Sequence, residues 1–532
     1  MVSRDKPIVH FKEGLVNDNI EMNNDSRLDN KRIAKNSVML YLRMFLMVGI
    51  SMYTSRVILK VLGVTDYEIY NVVGSVVITF NFIMGAMQGS CQRYITFALG
   101  KGDMERLKMT FSVTRIVHCV LAVGLLLVGE TIGLWMVQTQ LVIPIDRVIA
   151  AQWVYQFSLL SACVSLISVP YNATIIAHER MSAFAYISIL EALLKLVIVF
   201  VLTIFTFDRL ILYGALMLAA SVFIRFVYTI YCKRSFEETS NCWRWDRNLF
   251  KEIFAFAGWS LLPNLATTIN AQGTNILLNI FFGPAVNAAR GLSSFFQSVA
   301  TQFTQNFQSA MNPQIVKSYS QENLSYMRVL LFRSSKFSFL LMLIIVLPLV
   351  VEAPYIFTLW LGEFPEHTVN FARIALIGMI LGVPFNPFIT ANGATGIVKK
   401  YNIVIGAILL FECPIAYLVL KTGGTPELMM IILMLTVSII ANIARLLLVK
   451  EKIRMSAMLF LKDVLLPCGL VATLSLPLPL ILHAILPVCF FSSVCVVLLS
   501  IIMIASLGFF IILKKNEKYF VINFIRTKIL KK

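Results

Sequence analysis

Val169-Pro170-Tyr171-Asn172 recurs as Val383-Pro384-Phe385-Asn386, and each copy closes a long apolar stretch. Ile175 and Ala177 return as Ile389 and Ala391 at the same offset. Upstream, Leu134-Trp135 and Pro144 are echoed by Leu359-Trp360 and Pro365, and Gly63 by Gly283. The chain therefore repeats itself on the scale of nearly half its length. In a membrane protein, a repeat of that size builds two similar lobes with a substrate site between them.

The surrounding composition requires the membrane. Of 532 residues, 58% are hydrophobic and only 14% charged, and the mean hydropathy is +0.79. A soluble chain of this length needs far more polar surface. Apolar runs of roughly 20 residues, enough to cross a bilayer, follow one another almost throughout. They give an all-α polytopic protein with about 14 spans. No apolar stretch begins near Met1, so the first span is expected to serve as its own targeting signal. Nine cysteines are scattered without CxxC spacing or a His-Cys cluster. They read as core fillers, and no metal or other cofactor is implied.

The net charge of +18 is an orientation signal, not a mark of nucleic acid. With the amino terminus inside, the inner flanks collect Arg27, Lys31, Arg32 and Lys35, then Arg93, Lys101, Arg106 and Lys108, then Lys233, Arg234, Arg244, Arg247 and Lys251. Lys317, Arg328, Arg333 and Lys336 continue the series, followed by Lys399 and Lys400, Arg445, Lys450, Lys452 and Arg454, and a basic tail. The outer flanks hold Lys60, Arg147, Arg209, Arg290, Arg373 and Lys421. A miscounted span would invert the later loops and destroy this alternation. Both termini are thus expected in the cytoplasm, with anionic membrane lipid a contact of the basic face. The expected organisation is a disordered tail over 1–36, a first lobe over 37–235 (spans 1–6), and an inter-lobe loop over 236–247. A second lobe follows over 248–450 (spans 7–12), then spans 13 and 14 over 451–513, and a basic tail over 514–532. An even number of spans per lobe puts both lobes in the same sense, so a pseudo-twofold axis runs along the membrane normal.

Local sequence adds a resemblance. Thr54-Ser55-Arg56 through Leu62-Gly63-Val64, with Tyr70-Asn71-Val72-Val73-Gly74, resembles the start of polysaccharide-biosynthesis flippases. So do Gln92-Arg93-Tyr94, Gly100-Lys101-Gly102-Asp103, Asn279-Ile280-Phe281-Phe282-Gly283-Pro284, Ala288-Ala289-Arg290-Gly291 and Met311-Asn312-Pro313-Gln314-Ile315. The likeness is to Wzx-like members of the multidrug/oligosaccharidyl-lipid/polysaccharide exporter superfamily, over roughly residues 35–450. It implies a flippase of the bacterial inner membrane. Such a protein moves an undecaprenyl-pyrophosphate-linked oligosaccharide by alternating access, for O-antigen, capsule or exopolysaccharide synthesis, beside a polysaccharide polymerase. A cation-coupled multidrug exporter of the same superfamily is the alternative. That chemistry wants acidic residues, and spans 1, 2, 7 and 8 carry no mid-membrane Asp or Glu. A membrane polymerase or glycosyltransferase is disfavoured, because the outer loops are short and hold no catalytic constellation.

A pyrophosphate asks for Arg or Lys, and sugars for amides, hydroxyls and aromatic faces. Arg43 in span 1 and Arg290 at the start of span 8 are candidate anion contacts, or else interfacial residues. Glu191 and Lys195 in span 5 stand at i and i+4, the favourable order for a helical pair. They form either a structural ion pair or a functional element, since charge at that depth faces protein or water. Glu191, Glu412 and His118 are the candidate ion-coupling groups. Thr301, Gln305, Gln308 and Asn312 fall on one face of span 8, and Gln88 of span 2 matches Gln308. With Asn275 of span 7 they read as a hydrated wall for sugar, or as hydrogen-bond glue between helices. Pro170 and Pro384 each remove a helical hydrogen bond, bending spans 4 and 10 as paired kinks or hinges.

Overall fold

The computed structural model describes residues 24–78, 81–139, 143–205, 207–240, 243–513 and 518. Among the described residues all regular structure is helical. The first lobe comprises α1 (24–62), α2 (64–78 and Asn81–Lys101), α3 (Met104–Thr139), α4 (Ile145–Ala177), α5 (Met181–Ile204) and α6 (Arg209–Ser235). The second comprises α7 (Arg247–Phe282), α8 (Pro284–Ser320), α9 (Leu324–Val351), α10 (Thr368–Thr395), α11 (Lys399–Lys421) and α12 (Pro426–Lys450). Then come α13 (Ala457–Ile485) and α14 (Phe490–Ile512).

Ten of these helices are long and apolar enough to cross a membrane. The others are α1, α2, α7 and α8, the first pair of each lobe. They match the rest in length but carry more Asn, Gln, Ser and Thr. A helix that exposes such side chains to lipid is penalised, so this quartet belongs where the lobes face one another.

The repeat is visible in the backbone. Gly63 breaks α1 from α2 at φ 80°, ψ 169°, and Gly283 breaks α7 from α8 at φ 83°, ψ −175°. That region is essentially open to glycine alone. The other end of each hairpin matches too, in geometry more than in residue type. Gly102 and Glu322 both have positive φ. Next to them, Asp103 accepts from Arg106 N and Asn323 from Tyr326 N, each capping the following helix. The two prolines diverge. Across Pro170 α4 stays a continuous helix, and Thr174 Oγ1 donates to Pro170 O at 2.9 Å. At Pro384 α10 tightens into a 3₁₀ turn, Val383–Phe385, and Ser335 Oγ donates to the Pro384 carbonyl at 2.7 Å. The second copy has Pro387 where the first has Ala173, so a second backbone donor is missing within one turn.

α1 begins at Asn24, inside the stretch 1–36 expected to be a tail. Leu28, Lys31, Arg32 and Ala34 favour helix. Asn36 beyond them is buried and donates to Glu179 O at 3.1 Å. The rest of that tail, 1–23, lies outside the described residues, as does most of the tail expected over 514–532. The inter-lobe segment 236–247 is strapped to lobe one. Lys108 pairs with Glu237 at 2.6 Å, Ser112 Oγ donates to Arg244 O at 2.8 Å, and Arg244 meets Glu105. Buried Glu238 binds His178 Nε2 at 2.6 Å.

α13 and α14 dock on α9. The anchor is Glu352, 1% exposed, whose carboxylate binds His483 Nδ1 at 2.7 Å and accepts from Ser493 Oγ at 2.6 Å. This places the added pair against lobe two, outside the repeat.

Candidate functional site

The lobes meet along α1, α2, α7 and α8. The hydrogen bonds described between them run from the middle of these helices to the end that carries Lys101 and Lys317, here called the basic end. Tyr41 Oη donates to Phe303 O at 3.0 Å, and Ser90 Oγ lies 3.5 Å from Ile253 O. Gln314 Nε2 donates to Glu179 Oε1 at 2.7 Å, in a buried contact. Gly100 lies so close to α8 that a Cβ there would collide with Ser320 Oγ and press on Lys317. Toward the Gly63 and Gly283 turns no hydrogen bond joins the lobes among the described residues, and Ile276 and Ile280 of α7 stand exposed.

One space opens along this seam, and a second is lined by lobe two alone. A cavity of about 410 Å³ lies between α2 and lobe two. Its wall contains Gln92 and Arg93 from α2, Ser260, Asn264 and Thr267 from α7, and Asn312 from α8. Thr390, Asn392, Tyr401, Asn402 and Arg445 complete it. Its described lining holds two arginines and no Asp or Glu. A shallower groove of about 510 Å³ follows α8 toward the glycine-turn end, lined by Ser294, Gln297, Thr301, Gln302 and Gln305. At the rim of the first cavity, Lys452 donates to Asn392 Oδ1 at 2.8 Å. Burial and the neighbouring Lys400 hold the Lys452 ammonium below the usual lysine range.

The expected site residues distribute as follows. Arg43 spans the seam, donating to Ser188 Oγ of α5 at 3.4 Å and to Asn306 Oδ1 of α8 at 3.2 Å, with its guanidinium 4.7 Å from the Phe184 ring centroid. Gln305 is exposed in the α8 groove. Asn312 lines the cavity and accepts from Thr390 at 3.0 Å. Gln88 is exposed on α2, between the cavity-lining Gly85 and Gly89. Gln308 turns the other way and donates to Ser338 of α9 at 3.2 Å. Asn275 lies half-buried toward the Gly283 turn.

The charges divide between lobes. Glu191 and Lys195 pair at 2.7 Å, each side chain more than a third exposed. In lobe two, Glu412 accepts from Asn270 Nδ2 at 3.0 Å at a break in α11, and Arg290 is the nearby cation. His118 is fully buried, with Nδ1 donating to Thr114 O at 2.7 Å and Nε2 without a hydrogen-bond partner among the described residues.

Sequence reasoning missed Arg93 as a site residue, because its place in a basic flank accounted for it. Its Nε donates across the seam to Gly393 O at 3.2 Å and its Nη2 to Ala394 O at 3.4 Å. The aromatic signal was present, since Tyr94 and Phe97 follow it and both rings lie within 5.0 Å of the guanidinium.

No family model and no curated protein sequence matches the chain. Solved structures do. A crystal structure of a mutant MATE superposes with a TM-score of 0.70 at 15% identity, over 80% of this chain and 96% of that one. This chain has the MATE fold. A second structure, described as an outward-facing conformation of a multidrug resistance MATE family transporter of the MOP superfamily, gives a TM-score of 0.69 at 15% identity with the same coverage. A third, from Pyrococcus furiosus, gives 0.67 at 14% with the same coverage and is described by the reverse polarity of its binding pocket, which suggests a different function. The MATE fold accounts for the paired six-helix lobes found here. At such identity it carries no statement about what crosses between them.

Proposed function

We propose that this protein is an alternating-access exporter for an anionic, sugar-bearing amphiphile: an undecaprenyl-pyrophosphate-linked oligosaccharide used in surface polysaccharide synthesis. The observation that carries the reading is the chemistry of the seam. The described cavity lining offers Arg93 and Arg445 among amides and hydroxyls, with no carboxylate, and Arg43 adds a third cation along the same interface. A pyrophosphate favours guanidinium forks, and a glycan favours amides and hydroxyls.

In this reading the basic end is cytoplasmic, the membrane is the bacterial inner membrane, and lobes hydrogen-bonded toward that end represent an outward-facing state. Arg290 and Asn275 lie toward the exit, and Gln88, Gln305 and Asn312 receive sugar. Glu191, Glu412 and His118 are the groups available for ion coupling. Pro384 serves as the hinge of α10, with Pro170 its stiffer counterpart. The prenyl tail runs in membrane lipid, and a polysaccharide polymerase receives the product.

The MATE fold supports a second reading, a cation-coupled multidrug exporter, in which Glu412 and Glu191 serve the substrate or its counter-ion. One experiment separates the two. The gene is deleted in its host, and lipid-linked sugars and drug sensitivity are both measured. Accumulation of an oligosaccharide lipid on the cytoplasmic face, with loss of surface glycan, is the expected result. Unchanged glycan with increased drug sensitivity would replace it by the multidrug reading.

A further inference from the structure

Two of the contacts between the lobes at the basic end have acceptors at equivalent places in the repeat, with donors one position out of register, and the two are unequal. At the spacing that aligns the two Val-Pro-aromatic-Asn copies, Glu179 corresponds to Gly393. Glu179 receives Gln314 of α8 in a short, buried bond between neutral donor and carboxylate. Gly393 receives Arg93 of α2 only through its carbonyl, and the neighbouring Ala394 carbonyl accepts the second bond. Both bonds are long for a charged donor. Among the described residues no carboxylate stands within ion-pair distance of Arg93. Its charge is held by two carbonyls at the end of α10 and by the faces of Tyr94, Phe97 and Phe256, with the Glu252 carboxylate of α7 attracting it from beyond hydrogen-bond reach. Arg93 also lines the 410 Å³ cavity.

We propose that Arg93 is an anion-released latch: a phosphate or pyrophosphate entering the lobe-two cavity takes its guanidinium from the α10 carbonyls and frees the lobes to part at the basic end. A planar guanidinium binds such an oxyanion through two parallel charge-assisted bonds, about twice as strong as bonds to neutral acceptors. The exchange therefore favours release when the anion is present and closure when it is absent. A ligand shifts a two-state equilibrium only by its differential affinity for the two states. Arg93 supplies that difference, because its fork is engaged in one state and available in the other. Gly396 keeps the latch tight, since a Cβ there would lie 2.5 Å from Arg93 Nη2. The proposal rests on the alternating-access reading only for its biological meaning. The release itself is a property of the purified chain.

The test is a distance between spin labels carried on p-acetylphenylalanine at Lys101 and Gln321, the exposed end of α2 and the turn after α8. The full chain is placed in phosphatidylcholine nanodiscs, with and without inorganic pyrophosphate, and in nanodiscs containing phosphatidylglycerol. In the wild type, pyrophosphate is expected to raise the separated population by roughly tenfold or more. Separation in the phosphatidylglycerol discs alone assigns the releasing phosphate to a lipid headgroup and also supports the latch. Arg93→Ala is expected to be separated without any anion and indifferent to it. Gly396→Ala, which attacks the carbonyl side, is expected to do the same. The proposal is overturned if neither anion source moves the wild-type distance, or if both variants stay as closed and as anion-responsive as the wild type. A deletion strain with normal glycan would refute the exporter reading and leave these distances unaffected, so the two failures are distinguishable.

Discussion

The duplicated glycine break makes a quantitative demand. Gly63 and Gly283 adopt the same backbone region, and in both cases a Cβ would meet nothing within 4 Å. The cost of Gly63→Ala or Gly283→Ala is therefore purely conformational, about 1–3 kcal/mol for a residue forced into a glycine-only region. Gly49 in α1 and Gly258 in α7 also have open space around a would-be Cβ, but they sit inside helices. There Ala is favoured by about 0.8–1 kcal/mol. Two substitutions of identical chemistry in the same helices should thus shift stability in opposite directions, with a gap of roughly 2–4 kcal/mol between the classes. Because the break residues lie in different lobes, the Gly63→Ala/Gly283→Ala double variant should cost about the sum of the singles, within ~0.5 kcal/mol. Equilibrium unfolding in mixed micelles, followed by tryptophan fluorescence, measures all five variants. The reasoning is refuted if either break variant matches the wild type, or if the two costs differ by more than ~1 kcal/mol.

Arg43→Ala removes one long hydrogen bond across the seam, to Asn306, and a second hydrogen bond and an aromatic contact within lobe one, about 2–3 kcal/mol in all. Export should fall while membrane abundance holds, and Lys195→Ala should behave likewise; normal surface glycan in both variants would remove these residues from the cavity proposal. Gln308→Leu and Ser338→Ala each break the α8–α9 bond and should lower stability by about 0.5–1.5 kcal/mol with little effect on export. Gln305→Leu should do the reverse, and equal effects at the two glutamines would erase the distinction drawn between them. Glu352→Ala leaves His483 and Ser493 without their acceptor, at about 1–3 kcal/mol. Hydrogen exchange should rise across 477–493 and stay unchanged across α2 and α7; a uniform rise would mean the carboxylate supports the whole lobe.

The fold was legible because periodic charge and a long repeat are properties of the chain itself. The span register follows from the alternation of basic flanks, and the break at Gly63 and Gly283 from a residue type that only that backbone requires. The helix caps repeat as well, yet Asp103 and Asn323 differ, so a comparison by residue identity passed over them. Facing was less legible. Gln305 and Gln308 share a stripe, yet one is exposed and the other bonds Ser338. The choice lies with α9, a helix whose position no stripe on α8 encodes. The charge of Arg93 was read only as a flank signal, and that reading concealed its reach into the opposite lobe.

The repeat also explains where the cavity lies. Across a pseudo-twofold seam, each contact should have a counterpart on the other side of the axis. At the spacing that pairs Gly63 with Gly283, Arg43 corresponds to Pro263 and Asn306 to Ala86. The bond from Arg43 to Asn306 closes one side of the seam. On the other side the matching residues, Pro263 and Ala86, have no polar reach, and both line the 410 Å³ cavity. Arg93 likewise corresponds to Pro313, which offers no cation. Two copies of either arginine beside the axis would have set like charges against each other. Lobe one therefore supplies the two arginines that reach across the seam, while Arg445 of lobe two lines the cavity from its own side. Where a contact stays within one lobe, the constraint relaxes and both copies keep it in different residues. Arg147 of α4 pairs with Asp208, the residue before α6, at 2.6 Å, and His367, the residue before α10, pairs with Glu427 of α12. Restoring the symmetric bulk should accordingly fill the site. Ala86→Asn is expected to abolish export without destabilising the fold, whereas Ala310→Ser, a small change in the buried seam of α8, should leave export intact; an Ala86→Asn protein that exports normally would separate the cavity from the transport path.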